Sequence, residues 1–387
     1  MKKIAFVIKN MKMGGTRVSL LSLLEVLGKN SDNLIDLYIL NHSGTLIDNI
    51  PRNINVIKES KIVKISICDK KDISTINEYI VRAIFYVLKR IFGYQIVYGN
   101  LFKRYVKKNI FQNYDVVIGY QEGESNDFST YIPGKKHIIW YHSNYSNYYK
   151  YEKSNKLKDL FQKVDDIIFV ASESQRAFNM KETGYSFKTR VIENILPVNR
   201  IIQLSKQNNE EVYSNRNEFK LISVGRLSFE KGFDRVISVA KKLKEEEKKF
   251  LWIIVGNGNL LEELKESAKT NGVDEYVKFI GERRNPYQIM KQADVVVLPS
   301  RSESQPLVAL EGLILGKPYV STNFDSAKEV LDLSSGIIID NSEKGIYEGI
   351  IQMMNRKKFE EKKIGAQKFE YSNKSVMDKI YNLIKEG

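Results

Sequence analysis

The chain has 387 residues, 42% of them hydrophobic, and a formal net charge of +14. This length suits two domains of ordinary size, each able to bury its own core. No stretch approaches the roughly 18 uninterrupted apolar residues of a spanning helix. The single cysteine, Cys68, excludes an internal disulfide and fits a reducing, cytoplasmic location.

The chain starts with a short apolar run, residues 3–8, which predicts a buried strand and is too short for a signal peptide. Gly14 and Gly15 follow and open an amphipathic helical pattern. They do not fit the GxGxxG fingerprint, so we do not expect a nicotinamide cofactor. Close approach of the backbone to a ligand and a plain turn both explain the glycine pair.

Residues 79–114 contain seven Lys or Arg and no acid, interleaved with Phe, Tyr, Ile and Val. Residues 1–200 hold 31 basic and 19 acidic residues, so most of the positive excess belongs to this half. The segment suits peripheral contact with anionic headgroups at the inner face of the cell membrane. A helical pair with a solvated basic face explains it equally well. No nucleic-acid module accompanies it, so we expect no nucleic-acid partner.

Two further predicted strands, residues 115–120 and 136–140, each end in a polar loop. Glu122 follows the first strand, and His142 follows the second. Glu122 is either an acceptor-side group or an exposed loop charge. A lone histidine is more often structural than functional.

The division into domains follows from composition. Residues 191–197 (VIENILP) predict the last strand of a first domain, 1–197. Residues 198–217 are rich in Asn, Gln, Ser and charge and predict a linker. Residues 218–370 then predict a second domain, followed by a helical pattern in 371–387.

The second half alternates strand and helix. The predicted strands are residues 219–225, 250–256, 276–281, 295–299, 319–322 and 336–340. This alternation predicts an α/β fold with a parallel sheet covered by helices on both faces. Ligands of such sheets bind at the carboxyl ends of the strands, where the charged loops of this chain fall.

Two of these loops carry candidate binding groups. Arg226 and Lys231 lie in GRLSFEKG directly after a strand, where two cations could neutralise a diphosphate. Solvated loop cations are the commoner explanation. Gly256 begins GNG, which either lets backbone approach a ligand or makes a tight turn.

The third loop lies in residues 300–318, SRSESQPLVALEGLILGKP. Glu303 falls in a predicted strand-to-helix loop, and Glu311 one to two turns into the helix. Pro306 suits an early helical position. Helix amides around Leu307 without internal partners would favour an anion such as a phosphate. For an isolated pair of glutamates, ordinary solvated side chains are the commoner explanation.

Together these segments are far more specific than any one of them. SVGR with a lysine five positions after the arginine, then VGNG, FIG, ADVVVLPS and two glutamates with seven residues between them stand in this order. This order resembles the retaining nucleotide-sugar glycosyltransferases of the GT-B fold, glycosyl transferases group 1. That large bacterial family includes capsular, exopolysaccharide and lipopolysaccharide enzymes. The resemblance is strong over residues 221–340 and looser before them.

The resemblance implies a fold and a set of roles. Two Rossmann-like domains would face a central cleft, with the helix in 371–387 packed back on the first domain. Glu303 would bind hydroxyls of the transferred sugar and Glu311 those of the ribose. The other implied donor contacts are Arg226 and Lys231 at the diphosphate, with Gly14, Gly15, Gly256, Ser304, Gln305, Pro306 and Leu307. His142 would contact the acceptor or the donor sugar as a catalytic group, with Glu122 on the acceptor side.

The chain departs from the family pattern in two loops. Family members commonly carry glycines at the positions of Ser304 and Pro306, and proline has no amide hydrogen to donate. The aspartate usual after the histidine is replaced by Ser143 and Asn144.

The predicted activity is transfer of a sugar, with retention, from a UDP- or GDP-linked donor to a saccharide or lipid-linked saccharide in cell-surface polysaccharide synthesis. The sequence has no Asp-x-Asp pair and no oxygen ligands clustered at metal spacing, so we expect neither a metal nor another cofactor. The resemblance implies front-face transfer in which the leaving phosphate helps deprotonate the acceptor. A nucleotide-sugar 2-epimerase and a non-catalytic regulatory partner of the same fold are the alternatives.

Overall fold

The computed structural model describes residues 2–29, 33–57, 60–146, 154–207, 211–213, 217–331, 335–355 and 373–386. They belong to two compact units. Unit 1 is Met1–Ile195 with Lys374–Gly387, and unit 2 is Leu196–Asn373. No helix in these described ranges is long and apolar enough to cross a membrane.

Unit 1 contains a seven-stranded parallel sheet in the order β3-β2-β1-β4-β5-β6-β7. Its strands are β1 (Lys2–Ile8), β2 (Asn33–Ile39), β3 (Asn55–Ile57), β4 (Tyr114–Gly119), β5 (Gly134–Tyr141), β6 (Asp166–Phe169) and β7 (Thr189–Val191). Its helices are α1 (Gly15–Gly28), α2 (Lys61–Ile67), α3 (Ile76–Phe92), α4 (Tyr94–Asn109), α5 (Glu124–Ser129), α6 (Ser154–Gln162) and α7 (Ser172–Lys181).

Unit 2 contains a six-stranded parallel sheet in the order β10-β9-β8-β11-β12-β13. Its strands are β8 (Phe219–Val224), β9 (Phe250–Val255), β10 (Val277–Gly281), β11 (Val295–Leu298), β12 (Tyr319–Thr322) and β13 (Gly336–Ile339). Its helices are α8 (Val198–Ser205), α9 (Asp234–Glu245), α10 (Leu261–Thr270), α11 (Tyr287–Gln292), α12 (Leu307–Ile314), α13 (Ala327–Val330) and α14 (Glu343–Asn355). The last helix, α15 (Asn373–Lys385), falls almost entirely in unit 1.

The buried strands explain why the sequence folds in this way. In β11, Val295 and Val297 pack into the core on one face of the sheet, and Val296 and Leu298 into the core on the other. Successive side chains of a strand point to opposite faces, so a strand with helices on both sides needs apolar residues at every position. The continuous apolar runs of the second half therefore predicted the strands correctly.

The strand order locates the binding edge of each sheet. β1 lies between β2 and β4, and β8 lies between β9 and β11. At such a reversal the chain leaves two neighbouring strands toward opposite faces, and a crevice opens at their carboxyl ends. The loops after β1 and β4, and those after β8 and β11, therefore border the crevice of their own unit.

The predicted linker, residues 198–217, is wrong as drawn. Residues Val198–Ser205 form α8 inside unit 2, with Ile201 fully buried in the core beneath the sheet. Tyr213 is also buried and donates its hydroxyl to the Leu221 carbonyl at 2.8 Å. The polar residues Asn199, Arg200 and Gln203 share this helix with an apolar face, and composition alone does not distinguish such a helix from a linker. Residues 208–210 and 214–216 of the predicted linker lie outside the described ranges.

The predicted strand at residues 191–197 is also corrected. β7 ends at Val191, although the Ile192 amide still donates to the Phe169 carbonyl at 2.9 Å. Residues 192–197 belong to no strand or helix, and α8 begins at Val198.

A buried ion pair joins α15 to the sheet of unit 1. Lys136 Nζ lies 2.9 Å from Asp166 Oδ2, and both side chains are buried. The same ammonium donates to the Leu383 carbonyl of α15 at 2.9 Å. Arg190 contacts both Asp166 and Glu386, at 2.7 and 2.5 Å. The end of α15 is thus held by Lys136 on β5 and Arg190 on β7, and both of these cations also contact Asp166 on β6.

We predict that Lys136→Met destabilises unit 1 by about 2 kcal/mol, because it leaves the buried Asp166 with only the half-exposed Arg190 as a cation and leaves the Leu383 carbonyl without its donor. Urea denaturation measures this change. The matched control is Lys135→Met, which removes the exposed pair between Lys135 and Asp115 and should cost less than about 1 kcal/mol. Equal losses in the two variants would contradict the prediction.

Candidate functional site

Two loops of unit 2 meet through an ion pair between Lys231 and Glu303. Lys231 Nζ lies 2.6 Å from Glu303 Oε1 and 2.7 Å from Oε2. Ser300 donates its hydroxyl to Oε1 at 2.8 Å, and Ser326 donates to the Glu303 carbonyl at 3.0 Å. The Glu303 side chain is 11% exposed. A charged group this sheltered needs partners that compensate its burial, and Glu303 has both an ammonium group and hydrogen bonds.

A glycine permits the approach of the two loops. Gly232 has a φ of 67°, in the left-handed region, directly after Lys231. A Cβ at this position would lie 2.1 Å from the Pro299 carbonyl oxygen. Any other residue would therefore push the loop after β8 away from the loop after β11.

Arg301 joins the same two loops from outside. Its amide donates to the Glu230 carbonyl at 2.8 Å, and its guanidinium makes two hydrogen bonds to Asp234, at 2.7 and 2.5 Å. The guanidinium also lies 4.1 Å from the centre of the Phe229 ring. The hydrogen bond from Arg301 holds the pKa of Asp234 below its usual range. This role of Arg301 was not predicted, because in the sequence it is only one more basic residue beside Glu303.

Arg226 lies in the loop after β8, as predicted, but is not joined to Glu303. Its side chain is exposed and makes no hydrogen bond to a residue that the structure describes. Of the two predicted diphosphate ligands, Lys231 is thus held by a carboxylate, and Arg226 projects into solvent.

Glu311 lies in the second turn of α12 and is 8% exposed. The Tyr287 hydroxyl, from α11, donates to Glu311 Oε1 at 3.0 Å. Burial raises the pKa of Glu311 to about 7, and the hydrogen bond from Tyr287 opposes that rise. Burial and the Glu311 charge in turn raise the pKa of Tyr287. Nothing in the sequence singled out Tyr287, because its partner is 24 residues away on another helix.

At the start of α12, the Leu307 amide has a hydrogen-bond partner that the sequence did not predict. Pro306 precedes the helix with a φ of −79°, as expected for its ring. The Leu307 amide, predicted to lack an internal partner, donates to the Gln305 carbonyl at 2.9 Å. Ser304 and Gln305 are buried, and the Ser304 hydroxyl has no hydrogen-bond partner among the described residues. The loop therefore offers a hydroxyl where an amide was expected.

Gly256, directly after β9, packs against the backbone of the neighbouring loop. A Cβ here would lie 1.8 Å from the Gly225 carbonyl oxygen. Glycine is thus required for the approach of two strand ends, one of which carries Arg226. A contact of Gly256 with the donor stays a prediction.

In unit 1, the two glycines stand where α1 begins. Gly15 is the first residue of the helix, and Gly14 precedes it with a φ of 159°, a conformation that other residues rarely adopt. The nearest atom to a Cβ built on Gly14 is Arg17 Nη1, at 3.8 Å. The packing of unit 1 itself does not require glycine at this position. Donor contacts of the two glycines stay predictions.

Glu122 and His142 are brought together in unit 1. Glu122 Oε1 accepts hydrogen bonds from the amides of His142 and Ser143, both at 2.5 Å. Burial raises the pKa of Glu122, and these amides oppose the rise. Glu122 is therefore not the exposed loop charge of one interpretation. It fixes the loop that carries His142.

The His142 ring lies 4.7 Å from the Tyr120 ring, centre to centre, at the end of β5. Burial lowers the pKa of His142 to about 3, and the Arg17 charge adds to the decrease. The imidazole is consequently neutral at physiological pH. It can exchange hydrogen bonds with a hydroxyl, but it is too weak a base to hold a proton there.

No group of three or more His, Cys, Asp or Glu in the described ranges is placed to hold a metal ion.

We predict that the His142 ring proton resonances do not shift between pH 5 and pH 8, because burial keeps the imidazole neutral. NMR titration of the histidine side chains measures this. Arg17→Ala should move the midpoint upward, since it removes a positive charge. A midpoint for His142 near 6.5, the usual value, would contradict the assignment.

Comparisons with known proteins show which sequences and folds this chain is similar to. Residues 205–368 match the family Glycosyl transferases group 1. An uncharacterized glycosyltransferase of Methanocaldococcus jannaschii is 29% identical over 195 residues, which are 49% of this chain and 48% of that protein. The O-antigen biosynthesis glycosyltransferase WclY of Escherichia coli is 32% identical over 148 residues, 38% of this chain and 41% of the relative. The matches thus span half or less of these relatives.

A solved structure matches over the whole length. The crystal structure of Anabaena HepE in complex with UDP and glucose has a TM-score of 0.72 and 17% identity, with 100% of both chains covered. This likeness concerns the fold, and it confirms the GT-B fold expected from the order of motifs. The chain has the GT-B fold, and its residues 205–368 match the family Glycosyl transferases group 1.

Proposed function

We propose that this protein is a retaining, metal-independent glycosyltransferase that moves a sugar from a nucleoside-diphosphate sugar to a saccharide or lipid-linked saccharide. The observation that carries the proposal is the Lys231–Glu303 pair at the sheet reversal of a group 1 domain. A relative is named for O-antigen biosynthesis, and HepE was crystallised with UDP and glucose. We therefore favour a UDP-linked donor, with a GDP-linked donor as the other choice, and cytoplasmic synthesis of a surface polysaccharide such as a capsule.

Lys231 supplies the first step of the argument. Both Glu303 oxygens hold its ammonium in the free protein. A diphosphate carries more negative charge than one carboxylate, so a bound donor would draw Lys231 toward its phosphates. Arg226, exposed in the same loop, would add a planar pair of donors. Cations placed in advance stabilise the charge that develops as the nucleoside diphosphate departs.

Glu303 supplies the second step. Once Lys231 moves, Glu303 has free lone pairs, and Ser300 still fixes Oε1. A buried carboxylate held in this way accepts strong hydrogen bonds from sugar hydroxyls. The sugar would then be oriented by a group that needs no rearrangement of its own loop.

The nucleoside would be bound by Glu311. Tyr287 occupies Oε1, and Oε2 has no described hydrogen-bond donor, so it can accept from a ribose hydroxyl. The free Ser304 hydroxyl can serve the donor phosphates in place of the amide that Pro306 lacks. Gln305 and Leu307 would add contacts from the same loop, with Gly256 beside it.

The acceptor side would use unit 1. His142, neutral and fixed through Glu122, would orient an acceptor hydroxyl without taking its proton. The proton would pass to the leaving phosphate oxygen as the new glycosidic bond forms on the face that the leaving group vacates. This assignment makes His142 a positioning residue.

We predict that Glu303→Ala lowers turnover of the accepted donor at least about a hundredfold, since it removes both the sugar contact and the partner of Lys231. Wild type and variant are incubated with a panel of UDP- and GDP-sugars, with and without saccharide acceptors, and nucleoside diphosphate release is measured. Glu230→Ala, an exposed acid in the neighbouring loop, is the matched control and should retain activity.

Three outcomes would reject the proposal. No turnover of any donor supports a non-catalytic partner. Epimerised donor without transfer supports a 2-epimerase. Equal turnover by Glu303→Ala and wild type removes Glu303 from the site.

We also predict that UDP-glucose binds more tightly as the pH rises through about 7, where Glu311 loses its proton. An ionised carboxylate accepts stronger hydrogen bonds than a protonated one, so the Kd should fall about fivefold between pH 6 and pH 8. Calorimetry measures the Kd, and Glu311→Gln should make it independent of pH. A wild-type Kd that is flat over this range would contradict the role of Glu311.

A further inference from the structure

The outward face of α3 is apolar and uncovered. None of the 17 residues of this helix is buried. Large apolar side chains recur every three or four residues along one side, and Ile84 and Ile91 are 52% and 65% exposed. We call this set the outer stripe, and it comprises Ile76, Ile80, Ile84, Val87 and Ile91.

The opposite side of α3 holds the helix to unit 1. The Phe85 ring lies 6.1 Å from that of Tyr98 on α4, and the Arg82 guanidinium donates to the Cys68 carbonyl after α2. Tyr98 in turn is buried in the core. The outer stripe is therefore separate from the face of α3 that packs against unit 1. α3 has apolar residues on both sides, and a helix of this kind is normally covered on both.

The ends of α3 are well defined. Thr75 accepts from the Glu78 amide, and the Glu78 carboxylate accepts from the Ser74 amide, which forms a capping box. Gly93, with a φ of 83°, ends the helix and leads into α4. The stripe thus belongs to a stably capped helix about 25 Å long.

Charge decides what covers the stripe. No acidic residue occurs in residues 79–114. The exposed cations of α3 and α4 are Lys89, Arg90, Lys103, Arg104, Lys107 and Lys108. Tyr79 and Tyr86 border the stripe and are exposed, as suits aromatic side chains at a headgroup layer. A second copy packed face to face would bring these cations against their own kind, whereas anionic headgroups neutralise them.

We propose that the outer stripe inserts into the headgroup boundary of an anionic membrane, with α3 lying parallel to the surface. The apolar side chains would enter the acyl region, and the cations of α3 and α4 would contact the headgroups. This localises the surface predicted from residues 79–114 to one face of one helix. If the proposed function holds, the membrane is also where lipid-linked acceptors would be met. Vesicle binding needs no donor or acceptor, so its outcome is separable from the activity.

Flotation with vesicles tests the proposal. The full chain is mixed at physiological salt with vesicles of phosphatidylcholine alone or with about one third phosphatidylglycerol. We expect binding to the anionic vesicles and little to the neutral ones. Ile84→Glu with Ile91→Glu should abolish binding, and Arg90→Gln, which removes a cation beside the stripe, should weaken it about fivefold.

The matched control is Met180→Glu, which alters an apolar residue of α7 that is 82% exposed in the same unit. It should bind as wild type does. Equal binding to both kinds of vesicle, or no binding to either, would overturn the proposal. Unchanged binding by the Ile84 and Ile91 variant, or loss by Met180→Glu, would overturn it as well. If wild type forms a dimer without binding vesicles, and the double variant Ile84→Glu with Ile91→Glu is a monomer, the stripe is instead an interface with a second copy of the chain.

Discussion

The contact between Lys231 and Glu303 is the interaction on which the proposed donor site depends. The contact exists because β8 and β11 are neighbouring strands at the reversal of a parallel sheet. The loops that follow them therefore begin side by side at the carboxyl edge of the sheet. Gly232 lets the loops approach, and Arg301 holds them together from the solvent side. The charges that would bind a donor are therefore assembled before it arrives, and each compensates the other until then.

The two candidate carboxylates of unit 2 have different surroundings. Glu303 faces an ammonium group, whereas Glu311 faces the neutral hydroxyl of Tyr287. Burial without a cation raises the pKa of Glu311 to about 7. In unit 1, burial and a nearby arginine keep His142 uncharged. These environments suit three distinct tasks, namely binding of charge, binding of hydroxyls, and positioning of a hydroxyl without proton transfer.

The sequence predicted the parallel sheet and the charged loops after its strands, because apolar runs and strand-end residues are local signals. It placed Glu303 after a strand and Glu311 within a helix, and the structure has both there. It could not supply Tyr287 or Arg301, whose roles come from contacts between distant segments. It misassigned residues 198–205, since a polar helix with one buried face has the composition of a linker. The occupied Leu307 amide likewise depends on a turn geometry that residue types do not fix.

A crystal structure of the chain with UDP-glucose bound tests the central claim most directly. The account predicts that Lys231 Nζ leaves Glu303 for the diphosphate, that Glu303 accepts hydrogen bonds from the glucose, and that Glu311 Oε2 accepts from the ribose. A donor bound elsewhere, with the Lys231–Glu303 pair unchanged, would contradict it.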